Sequence, residues 1–222
     1  MVGISAAVAG PVIVNGNFGT PIIYCDNYGG WRNYAYQGTF GCGGGHQSQD
    51  FNNSPGFGWF FGETHPEYQG SGLTGPTTAF NPPSFDGLPF LQAVFLQGAN
   101  SSVSQDIGGF TPGTYDLSFY LGSRFSDYGY DGNQTVETLF DGQVIATYAL
   151  RSDTPFTLEN ILLTVGTPGT HNLEFLGVSE GDHTAFLSDV EITPVGGTVP
   201  EPSSLALCAA GVLTLWLKRN RR

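Results

Sequence analysis

The chain has 222 residues, with 33 Gly, 14 Pro, seven basic and nineteen acidic side chains, for a net charge of -12. Four of the seven cations (Lys218, Arg219, Arg221, Arg222) fall at the very end, so residues 1–199 carry three arginines, no lysine and eighteen acids, a balance of -15. Such a body offers no basic footprint for a phosphate backbone, which excludes nucleic-acid binding, while aromatics at 14% argue against disorder and the glycine content argues against a helical bundle.

In chain order, residues 1–9 end in Ala7-Val8-Ala9, a small-x-small pattern before Gly10. They read as the remnant of a signal peptide with cleavage after Ala9. Residues 10–197 read as one all-β domain. Pro11-Val12-Ile13-Val14 is predicted as a first strand. Residues 24–89 form a long insertion rich in aromatics and glycine, holding Trp31, Trp59, Cys25, Cys42 and the run Gly41–Gly45. Beyond it the alternation is regular. Strands are predicted over 90–96, 101–107, 114–121, 135–140, 143–148, 156–165, 170–176 and 184–193. Tyr115, Leu117, Phe119 and Leu121 share one face, and Asp141-Gly142 is a strong two-residue hairpin signal. Short strands at this spacing predict a β-sandwich of the jelly-roll type.

The chain ends in Val199-Pro200-Glu201-Pro202-Ser203-Ser204, a thirteen-residue apolar run from Leu205 to Leu217, and the basic cluster. As a helix the run spans about 20 Å. That is short against a hydrocarbon core of roughly 30 Å, but four cations directly after it are the mark of a stop-transfer segment with a cytoplasmic C-terminus. This predicts a single C-terminal hydrophobic helix that holds the body outside the cytoplasm.

Val199, Pro200, Glu201 and Pro202, the short apolar helix and the arginine-rich end together resemble the PEP-CTERM sorting signal of exported bacterial proteins, over residues 198–222. The resemblance implies an exosortase as partner, removal of the helix, and delivery to the envelope or extracellular matrix. In the body, Val14-Asn15-Gly16-Asn17-Phe18, Gly113 to Phe119 and Thr184 to Ile192 resemble the galactose-binding-like jelly rolls of carbohydrate-binding modules. That resemblance implies a structural calcium near the first and last strands, here at Asn17 and Asp189. The acid expected after the Asn-x-Asn-Phe segment is replaced by Gly19. No other cofactor is expected.

Catalytic patterns are sparse. The chain has no Gly-x-Ser-x-Gly elbow and no His-Glu-x-x-His. Glu63 and Glu67 beside His65 invite a glycosidase reading, but isolated acids on an acidic body usually form a solvated surface, so a non-enzyme is expected. Aromatic faces can stack on sugar rings while polar groups align the hydroxyls. Trp31, Tyr34, Tyr36 and Trp59 are candidates for that role, and Arg124, Tyr128, Tyr130, Asp131 and Asn133 form a second set. Burial in the core is the alternative for each tryptophan, and an internal ion pair for Arg124. Cys25 and Cys42 flank a short loop. In an oxidising compartment their disulfide would stabilise by about 3 kcal/mol; two free thiols are the alternative. The expected function is an exported, non-catalytic envelope or matrix protein that binds carbohydrate such as exopolysaccharide. The alternative is a surface protein whose outer face, without a ligand pocket, is the product.

Overall fold

Alternation along the sequence becomes alternation of burial. A computed structural model describes residues 10–23, 34–36, 51–62, 70–76, 78, 80–126 and 131–196. Among these, eleven strands run in chain order: β1 Tyr34–Tyr36, β2 Phe60–Phe61, β3 Gly70–Thr74, β4 Ala93–Gln97, β5 Ser101–Phe110, β6 Gly113–Ser123, β7 Thr135–Phe140, β8 Gln143–Ala149, β9 Thr157–Val165, β10 Gly169–Gly177 and β11 Thr184–Pro194. They form two antiparallel sheets, ordered β1-β3-β4-β11-β6-β9 and β2-β5-β10-β7-β8. The all-β jelly-roll sandwich is therefore the architecture. The predicted C-terminal helix, the sorting motif Val199–Pro202, residues 1–9 and both Cys25 and Cys42 lie outside the described residues. Among the described residues no helix is long and apolar enough to cross a membrane.

The core lies between the sheets. Tyr115, Leu117, Phe119 and Leu121 of β6 face Val136 of β7 and Leu173 and Phe175 of β10, all buried. Phe119 meets Phe175 edge-on at 4.8 Å between ring centres, a favoured aromatic geometry. A second apolar cluster lies on the other side of the six-stranded sheet. There Phe80, Phe85 and Phe90 of the β3–β4 connection cover Phe95 and Phe186. The hairpin prediction holds in detail. Asp141 and Gly142 both have positive φ (50° and 74°), as a type I′ turn requires.

Two predictions need correction. Residues 11–14 form no strand. Their backbone is held by a side chain instead. Buried Gln105 accepts from the Val14 N–H at 2.8 Å and donates to the Val14 carbonyl at 2.9 Å and the Gly58 carbonyl at 3.0 Å. Gln92 does the same further on. It donates to the carbonyls of Phe18 and Pro21 and accepts from the Ile23 N–H. A carboxamide has both a donor and an acceptor, so it can stand in for a neighbouring strand. Residues 24–89 are also not a pure insertion. β1 and β3 extend the six-stranded sheet and β2 pairs with β5.

The far end of the sandwich carries a charged clasp. His171 Nδ1 lies 2.6 Å from Asp141 Oδ2, and its Nε2 lies 3.0 Å from the Thr167 carbonyl. Both partners are acceptors, so both ring nitrogens must carry protons and the ring is an imidazolium. It stacks on Phe140 at 5.1 Å. The Asp141 carboxylate, helped by the Thr167 carbonyl, holds the His171 pKa above the usual 6.5 against burial. In turn the His171 hydrogen bond, against a burial penalty, holds Asp141 below 3.8.

Two measurements test this account. Gln105→Leu strands the Val14 and Gly58 backbone groups and should cost about 1–3 kcal/mol in urea unfolding. The clasp has a signed pH dependence. A raised histidine pKa stabilises fully below pH 6.5 and less as pH rises through the folded value. A lowered aspartate pKa stabilises above pH 3.8 and less as pH falls. The stability lost in His171→Gln should therefore be greatest between those two values and shrink on either side. A loss independent of pH would contradict the imidazolium.

Candidate functional site

At the other end of the sandwich, loops between strands converge. They are the turn after β4, the β6–β7 loop, the β8–β9 loop and the β10–β11 loop. Their base is one fully buried side chain, Gln134, just before β7. Its Nε2 donates to the carbonyls of Gly98 (3.1 Å) and His183 (3.0 Å). Its Oε1 accepts from the N–H groups of Thr135 (3.0 Å) and Ser179 (2.8 Å). The turn after β4 and the β10–β11 loop are thereby fixed to the loop that carries Gln134.

Polar side chains stand on this base. His183 Nδ1 is hydrogen-bonded to Asp131, and the two residues also form a parallel backbone bridge. Asp131 accepts from the backbone N–H of Asn133 at 3.0 Å and from its side chain at 2.9 Å. Asn133 Oδ1 then accepts from the Ser152 N–H at 3.1 Å. Beside them Asp182 pairs with Arg124 at 3.2 Å and accepts from Gln97. The Arg124 guanidinium lies 5.5 Å from the centre of the Phe80 ring. Burial raises the Asp131 pKa, but the Asn133 hydrogen bonds and His183 outweigh it, so the carboxyl stays below its ordinary 3.8 and is ionised at neutral pH. Gly132 permits the turn. A Cβ there would come within 2.5 Å of the Arg124 carbonyl oxygen and 2.6 Å of its nitrogen.

The structure divides the sequence candidates. Arg124 and Asn133 come together at this end with Asp131. Arg124 is buried and ion-paired, the internal role that sequence left open. Trp59 is a core residue. It is 3% exposed, its ring packs on Phe18 at 5.1 Å, and its Nε1 donates to the Asn15 carbonyl. No face remains for stacking on a sugar. Tyr34 and Tyr36 lie in β1, the opposite edge of the six-stranded sheet from β9. Trp31, Tyr128 and Tyr130, with Glu63, His65 and Glu67, lie outside the described residues. Gln97, Gln134, Asp182 and His183 are not among the candidates drawn from the sequence. The Asp182-His183 pair directly before a strand was the available signal.

Asn17 and Asp189 both line one shallow depression, with Glu191. Asp189 occupies a bulge in β11, between Ser188 and Glu191, with φ of 52°. Burial, reinforced by Glu191, raises its pKa above 3.8. The donor set is short for calcium, which takes six to eight oxygens. The Asn17 Oδ1 already accepts from the Gly19 N–H at 3.0 Å, and among the described residues no three His, Cys, Asp or Glu side chains cluster as a metal site.

No family model matches the chain and no curated protein is similar to it. Among solved structures, it is similar to the CBM36-1 domain of a multidomain xylanase from the hindgut metagenome of Trinervitermes trinervoides (19% identity, TM-score 0.40, covering 63% of this chain and 99% of that one). A carbohydrate-binding module CBM36 in complex with calcium and xylotriose is similar at 17% identity and TM-score 0.37 (60% and 92% covered). The enzymatically active domain of tailspike protein 4 from bacteriophage CBA120 gives 12% identity and TM-score 0.44. That match covers 62% of this chain and only 19% of the tailspike.

Asp189 supplies a signed test. A carboxyl whose pKa is raised on folding costs stability at neutral pH, and the cost fades as pH falls from the folded value to 3.8. Asparagine tolerates the same positive φ. Asp189→Asn should therefore raise the Tm at pH 7 and leave it unchanged near pH 3. Added calcium that raised the wild-type Tm, but not that of the variant, would show that the ion completes the donor set.

Proposed function

We propose that this protein is an exported, non-catalytic carbohydrate-binding sandwich of the cell envelope or extracellular matrix, and that it binds glycan at the loop end built on Gln134. The observation that carries the reading is the fixed fan of Asp131, Asn133, Asp182 and His183. Each is held by at least one hydrogen bond to its neighbours, and Asp182 and His183 are bonded across loops. The side chains of Asp131 and His183 remain about a third exposed (29% and 32%). Sugars are read by such oriented donors and acceptors, and rigidity lowers the entropic cost of binding them.

The non-catalytic part of the reading rests on the sequence, which has no Gly-x-Ser-x-Gly elbow and no His-Glu-x-x-His. Export and exosortase processing rest on the sorting motif Val199–Pro202 and the basic tail. The mature body would then carry about -15 rather than -12.

Binding is tested by pull-down of the purified protein on an array of neutral bacterial and plant polysaccharides, with and without calcium. Asn133→Ala and His183→Ala should each weaken retention about tenfold, the equivalent of one lost hydrogen bond of roughly 1.4 kcal/mol. Phe60→Ala, an exposed change on β2 away from the loops, should leave retention intact. A flat array would reject glycan binding and favour a structural surface protein without a ligand. Independently, the intact mass of protein recovered from culture should show loss of the segment after Pro202.

A further inference from the structure

Each sheet of the sandwich ends in two edge strands, and natural sheets protect such edges by shortness, bulges, proline or lysine. Three of the four edges are protected. β1 has three residues and β2 has two. β8 is bent by a register shift against β7 at Thr138 and Leu139. β9 differs. Its nine residues, Thr157–Val165, pair with β6 without any shift. It contains no proline and no lysine. Among the described residues no strand pairs with its outer side.

Its side chains are equally unprotected. On the outward face Leu158 is 48% exposed and Leu162 is 72% exposed, with Asn160 between them. This face continues an apolar row. Leu158 pairs with Tyr120, which packs on Phe90 of the outer cluster at 5.5 Å. The strand has one charge, Glu159, which faces inward and is partly buried. Asp116 of β6 lies beside Leu162, but within a body of eighteen acids against three arginines an edge strand with a single charge is where another acidic chain meets least repulsion.

We infer that β9 is a homodimer edge, pairing antiparallel with β9 of a second copy about a two-fold axis at Asn160. The sequence is self-complementary in that register. Leu158 of each copy lies opposite Leu162 of the other, Asn160 lies opposite Asn160, and Glu159 lies opposite Ile161 rather than its own copy. Thr157 through Leu163 take part, and the six-stranded sheets join into one continuous sheet. A two-fold interface must be self-complementary in this way. Cross-strand apolar pairs are the unit of such stabilisation, and like charges directly opposite would oppose it.

The test uses the full chain in mild detergent, which shields the apolar C-terminal segment. Sedimentation equilibrium should give a two-chain mass for the wild type and a one-chain mass for Leu158→Lys and Leu162→Lys. Circular dichroism should be unchanged in both variants, because both side chains are exposed. The tail is identical in all three proteins, so association through it would not respond to these changes. Asn160→Cys should oxidise to a cross-linked dimer above the wild-type background, since directly opposite residues lie within disulfide range. Thr164→Cys, whose partner in this register lies before the strand, should not. A one-chain wild type would overturn the inference. So would a dimer that survives Leu162→Lys, or one that cross-links as readily at position 164 as at 160.

Discussion

Backbone groups that leave a strand ladder must still find partners when they are buried, and in this sandwich buried glutamines supply them. Gln105 holds Val14 from both sides, Gln92 holds residues 18–23, and Gln134 joins its own loop to two others. All three side chains are at most 5% exposed. An unpaired buried peptide group costs about 1–3 kcal/mol, so each glutamine decides whether an irregular segment can lie against the core at all. The same device operates at two scales. It lets an N-terminal segment without strand pairing run beside β11, where the Val190 N–H donates to the Gly16 carbonyl. It also turns a set of loops into a rigid platform.

Charge follows a parallel economy. In a body with three arginines the acids cannot all be paired; among the described residues Arg151 is exposed, and Arg124 is the one placed in a buried pair. Arg124 is buried against Asp182 and Phe80, and protonated His171 serves as a further cation for Asp141. The Arg124–Asp182 pair is the more buried of the two and is costly to break, because the remaining charge is left poorly solvated. At Asp189 burial, with repulsion from Glu191 added, disfavours the ionised form instead.

The regular half of the fold was legible in the sequence, because a half-buried strand writes its face into alternate residues. β6 and β7, with the Asp141-Gly142 turn that follows, keep the pattern almost residue for residue. The irregular half was not. Residues 11–14 do alternate, with Val12 and Val14 exposed between Pro11 and Ile13, but the backbone of Val14 is held by a side chain and not by a neighbouring strand. β1, β2 and β3 are two to five residues long, too short to show a period. Trp59 is indistinguishable by type from a ligand platform, because a large apolar ring serves a core and a sugar equally well. The loop end was half visible. Arg124 and Asn133 are marked by chemistry, whereas Gln134 is an ordinary polar letter whose role depends on contacts up to 49 residues away.

The two proposed surfaces have a geometric relation that bears on what the protein would do. The loop end lies where β9 begins, at Thr157, beside the ends of β6 and β8. Antiparallel pairing about Asn160 reverses β9, so the two loop ends of a dimer point in opposite directions. They could not clasp adjacent stretches of one short glycan. They would bind separate chains, or distant parts of one, with a rigid continuous sheet between them. Rigid spacing of this sort contributes nothing to avidity on a small ligand, because simultaneous engagement is geometrically forbidden. It does connect polymers. A dimer of this form would act on an extracellular polysaccharide as a cross-link, which reconciles the binding reading with the structural one: the loop ends would be the means and the matrix the product.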